Sequence, residues 1–80
     1  MKLFDFWQLC RDHDWHFEHS NNRTHHRMQK VMRARIDVLS MLSPSHRMLF
    51  RLWRHWAATK YENMDARRAA MPAMPIEEAA

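Results

Sequence analysis

Apolar residues recur along this chain at helical spacing, and two polar breaks divide the pattern into three segments. Leu3, Phe6, Trp7 and Cys10 stand at i, i+3, i+4 and i+7, one side of a helix over about residues 3–12. Residues 13–22 then read as a connection, in which Trp15 and Phe17 alternate with polar neighbours and reach toward the core. It ends in Ser20, Asn21 and Asn22, residue types that cap a new helix. A second helix is predicted over about 22–42. Its broad stripe of Met28, Val31, Met32, Ile36, Val38, Leu39 and Leu42 is expected to face the core, with Lys30 and Arg33 on the opposite side. Arg35 falls inside that stripe and calls for an acidic partner, Asp14 or Asp5; if none reaches it, the alternative is that this edge of the stripe is exposed, at an interface.

Ser43-Pro44 is the sharpest boundary. Serine suits the cap, proline suits the first helical position, and proline disfavours helix in the residue before it. A third helix is predicted from Pro44 to about residue 63. Leu49, Phe50, Leu52, Trp53 and Trp56 lie on its apolar side, and Arg47, Arg51 and Arg54 on its polar side. Residues 71–80, with Pro72 and Pro75 among alanines and glutamates, offer little to bury and are expected to be extended or disordered. The predicted fold class is therefore all-α: a small antiparallel bundle of three helices in a single domain over 1–70, followed by a tail.

Composition narrows the function. The 80 residues contain no glycine, which argues against tight β-hairpins and against the phosphate-cradling loops of nucleotide-binding motifs. A single cysteine, Cys10, allows no internal disulfide, so self-association is the open route to extra support, and a homodimer is one expectation. No secretory signal and no membrane-spanning stretch are read, so the expected setting is a reducing cytoplasm.

The charge is uneven. Acids outnumber bases in residues 1–19 and again in 61–80, whereas 20–60 carries nine basic residues against Asp37 alone. That excess calls for an acidic partner: a protein face, a nucleoprotein complex or nucleic acid. Arginine supplies most of it, and its planar fork grips carboxylate or phosphate in pairs. The candidate contact residues are Arg23, Lys30, Arg33, Arg47, Arg51 and Arg54, against the alternative of an ordinary solvated face.

Other chemistry is thinner. The Ser-Pro break followed by Ser45, His46 and Arg47 loosely resembles a helix-turn-helix recognition end, so a direct nucleic-acid-binding regulator is the second reading. Cys10, His13, His16 and His19 repeat at intervals of three. That spacing drifts around a helix and lacks a paired Cys-x-x-Cys anchor, so no metal site and no cofactor are predicted. Catalysis by Asp12, Asp14, His16 or Glu18 would need a pocket that so small a chain scarcely provides; the protein is expected not to be an enzyme.

The stretch His13-Asp14-Trp15-His16-Phe17-Glu18-His19-Ser20 resembles a segment of small phage and prophage proteins, in which two acids follow the serine where Asn21 and Asn22 stand here. The family has no assigned activity, so no residue role carries over. The resemblance implies a compact viral accessory protein. By association with anti-CRISPR proteins, it also implies an inhibitor or modulator of a host protein or nucleoprotein complex, acting in the host bacterial cytoplasm.

Overall fold

A computed structural model describes residues 1–18, 22–57, 66, 71 and 74–76. They form three helices, α1 (Leu3–Glu18), α2 (Arg23–Leu39) and α3 (Pro44–Ala57), with no strand among the described residues. The all-α class is as predicted, and the arrangement is compatible with an antiparallel bundle. The span predicted for the third helix beyond Ala57 lies outside the described residues.

The first helix is longer than its apolar spacing suggested. The buried side of α1 runs Leu3, Phe6, Trp7, Cys10 and then His13 and Asp14, all on one helical face. The expected connection over 13–22 therefore begins as helix. Its inward positions are simply filled by polar side chains. Asp5 in the first turn and His16 in the last suit the helix dipole.

Helix α2 starts where the polar cluster predicted. Asn22 is its cap, with extended backbone, and its side-chain oxygen accepts from the Thr24 N–H at 2.9 Å. The far end closes without glycine or any positive φ among the described residues. Ser40 Oγ donates to the Asp37 carbonyl at 2.7 Å, and Met41 and Leu42 donate to Val38 and Leu39 in a tightened last turn. Orphan carbonyls are thus satisfied by a hydroxyl and short-range bonds.

At the next boundary Ser43 caps α3. Its Oγ accepts from the His46 N–H at 3.1 Å, and it lies 2.6 Å from His46 Nδ1. His46 Nε2 faces the Met1 carbonyl at 2.8 Å. A carbonyl can only accept, so Nε2 carries a proton and donates to it. Ser43 Oγ is the partner of Nδ1, so both ring nitrogens of His46 are engaged. Ser43→Ala removes the cap and the hydroxyl together and is expected to cost about 1–2 kcal/mol. A thermal melt followed by circular dichroism checks this, with a drop of several degrees expected for a chain of this length.

Helix α1 is the hub, packing on α2 along its length and on α3 to a lesser extent. The core joins Leu3, Phe6, Trp7 and Cys10 of α1 to Ile36 of α2, Leu49 and Trp53 of α3, and Met71. Two expectations change here. Of the apolar stripe on α2, Ile36 is buried and Met32 and Leu39 half-buried, but Met28, Val31, Val38 and Leu42 are exposed. Arg35 is exposed as well; Asp5 is exposed, and Asp14 is buried against α3. The physical reason is that α2 meets the core along only one edge of a wide stripe. The stretch from residue 71, expected to be extended with little to bury, has no helix or strand among its described residues, and it still gives apolar side chains to the core. Met71 is 4% exposed, and Met74 and Ile76 pack against the core.

Candidate functional site

The polar core fixes which surfaces remain available. Asp14 is fully buried and accepts from Trp53 Nε1–H at 3.1 Å, with His13 Nδ1 at 3.2 Å from the same oxygen. His13 also stands edge-on to the Trp53 ring, centroids 5.1 Å apart. This pair locks α1 to α3 and serves the fold. His46, fixed between Ser43 and Met1 and edge-on to Phe6, is similarly committed. Of the three residues proposed to read bases, Ser45 is half-buried, His46 is buried and only Arg47 is exposed. That geometry disfavours a recognition end at this helix start.

The six candidate contact residues divide into two kinds. Arg23, Lys30, Arg47, Arg51 and Arg54 are exposed; Arg33 is half-buried. The Arg33 guanidinium lies 5.0 Å from the Trp53 ring centroid and 5.8 Å from that of Phe50, and its Nε is 3.3 Å from Asp37. It bridges α2 to α3 and is not a free outward-facing group. A long stem with a planar head lets it bridge this gap, and a negatively polarised ring face draws the cation in. Arg54 stands over the same Phe50 ring at 5.8 Å, so the stack adjoins the arginine row of α3.

That row is the centre of the candidate site. Arg47, Arg51 and Arg54 stand at i, i+4 and i+7 on one exposed side of α3, and none makes an ion pair with a described residue. At the corner between α2 and α3 lies an open cleft of about 450 Å³, lined by Met41, Leu42, Ser43, Pro44, Arg47 and Arg51. Arg47 reaches the Met41 sulfur across it. Met41 and Leu42 are themselves exposed, so this is a mixed surface with cations beside an apolar floor. The basic row was legible from spacing, but the apolar floor was not. Leu42 read as core, and Met41 gave no signal until the corner was folded.

The remaining predicted ligand types do not converge. Cys10 and His13 are buried in the core, and His19 lies outside the described residues. His16 Nδ1 faces His25 Nδ1 at 2.8 Å, with the Trp15 ring edge-on to both. Among the described residues no three histidine, cysteine or acidic side chains gather where they could hold a metal. No described helix is long and apolar enough to cross a membrane. Searched against protein-family models, curated proteins and solved structures, the chain matches none, so its own geometry carries the functional argument.

Proposed function

We propose that this protein is a non-catalytic binding module that docks an acidic protein surface onto the arginine row of α3 and the corner cleft beside it. The observation that carries the reading is that row: Arg47, Arg51 and Arg54, exposed in register and free of any described carboxylate, beside exposed Met41 and Leu42. Three cations on one helical face, none paired with a described carboxylate, repel one another and destabilise the isolated chain slightly, a cost that an acidic partner reverses. Arginine and methionine are enriched where protein interfaces are driest, and lysine is depleted there. The apolar floor therefore favours a protein over bare nucleic acid. Arg23 and Lys30, exposed on α2, extend the positive field and act chiefly on the rate of encounter. The wider proposal is a viral accessory protein that inhibits or modulates a host protein or nucleoprotein complex, and it rests on the resemblance of residues 13–20.

The test is affinity capture from a nuclease-treated bacterial lysate with the natural chain and with Arg47→Glu/Arg51→Glu/Arg54→Glu. The natural chain is expected to retain a protein that the variant loses, while both keep the same helical circular-dichroism signal. Retention unchanged by the triple reversal defeats the proposal. Loss of the bound material on nuclease treatment gives preference to the nucleic-acid reading instead. Gel shifts whose log affinity falls by about 0.9 per neutralised phosphate against log salt would favour that same reading.

A further inference from the structure

The outer face of α2 carries a second pattern, distinct from the arginine row. Thr24, Met28, Val31, Arg35 and Val38 alternate at spacings of four and three, the spacing of a coiled-coil seam. All five are exposed, Val31 at 62% and Val38 at 72%. The inner face, with Ile36 buried and Met32, Arg33 and Leu39 half-buried, is already used within the molecule. Scattered exposed apolar residues need no explanation, but a stripe at seam spacing along one helix does.

The charges on this face select the occupant. Arg35 sits within the seam and Arg27 flanks it, both exposed. The single acid of α2, Asp37, is paired with Arg33 away from the seam. A second copy of this chain fits poorly. In a two-fold antiparallel pairing centred between Val31 and Arg35, the two Arg35 residues stand about 6 Å apart along the axis, at 1.5 Å per residue. In a parallel pairing they face each other directly. Neither arrangement brings an acid of α2 to the pair.

We infer that the outer face of α2 is a docking seam for an amphipathic helix of another protein, one with apolar residues at seam positions and glutamate or aspartate beside them. Its apolar positions cover Met28, Val31 and Val38, and its acids meet Arg27 and Arg35. The mode is a helix read through anchors three and four residues apart. The inference does not depend on the arginine row of α3.

The probe is a labelled 21-residue peptide with leucine at the seam positions and glutamate at the flanking ones, which repel its own copies and keep it single. Its counterpart carries lysine instead. Fluorescence anisotropy with the full chain, at about 150 mM salt, is expected to show the glutamate peptide binding at least about tenfold more tightly. Val31→Ser/Val38→Ser is expected to weaken that binding about tenfold, a combined loss of about 1.4 kcal/mol. Both side chains are exposed, so the helical signal is expected to stay. Arg27→Glu/Arg35→Glu is expected to invert the preference toward the lysine peptide, a readout that survives even if the valine variant misfolds. Binding is expected to persist in the α3 triple reversal, which separates this seam from the site proposed above. Equal binding of the two peptides, or sedimentation showing that the same valines hold a dimer of this chain, overturns the inference.

Discussion

Replacing Trp53 by phenylalanine is expected to lower the unfolding free energy by about 2–4 kcal/mol, although an aromatic ring is kept. That is most of the roughly 3–5 kcal/mol that a core of this size supplies without a disulfide or metal. The reason lies in what surrounds the indole. Arg33 covers its face at 5.0 Å, where the ring is electron-rich. Asp14 takes its N–H at 3.1 Å, where the ring is electron-poor. A cation on the face and a carboxylate at the edge match the charge distribution of tryptophan. Phenylalanine keeps the face and loses the edge donor, so the fully buried Asp14 carboxylate gives up a charge-assisted hydrogen bond. Urea unfolding of the natural chain, Trp53→Phe, Asp14→Ala and the double variant measures the link. A coupling energy of about 1.5–3 kcal/mol is expected, the usual size for a hydrogen bond to a charged group. Strict additivity of the two substitutions would show that the Asp14–Trp53 bond does not hold α1 to α3.

The second large effect is expected at a residue outside α1, α2 and α3. Met71→Ala should cost about 2–4 kcal/mol, because a buried methionine truncated to alanine leaves a cavity as well as losing its transfer energy. Met71 is 4% exposed and joins the same cluster as Trp7, Ile36 and Trp53. Ile76→Ala, at a half-buried position packed against that cluster, is expected to cost less, about 1 kcal/mol. The ordering of the two in a thermal melt is the check. A Met71→Ala melt that matches the natural chain would mean that this segment contributes nothing to the core.

These two sites show where residue order is a sufficient guide and where it is not. Ser43-Pro44 and Asn22 were readable because a cap is a local device: the donor it satisfies lies two or three residues away. Met71 was not readable, since a short apolar stretch among prolines has no period and its burial depends on a groove built by other elements. The extension of α1 past residue 12 was hidden for a related reason. His13 and Asp14 occupy inward positions, and polar residues there look like the start of a loop until Trp53 supplies the donor, 39 residues away. The candidate site was half legible. Spacing placed Arg47, Arg51 and Arg54 on one outward face, and the structure agrees. Arg33 has the same spacing credentials but is drawn inward by two rings and Asp37, which no local pattern reveals.

Read alone, the chain determined three helices, the caps that open α2 and α3, the basic middle and which side chains are greasy, because each of these depends on neighbours within one or two helical turns. Tertiary structure alone decided which edge of the α2 stripe meets α1. That choice leaves Val31 and Val38 outside and turns them from expected core into candidate interface. A hydrophobic stripe states that a helix has an apolar side; when the stripe is wider than one neighbour can cover, only the packing of the other helices settles which part stays in water.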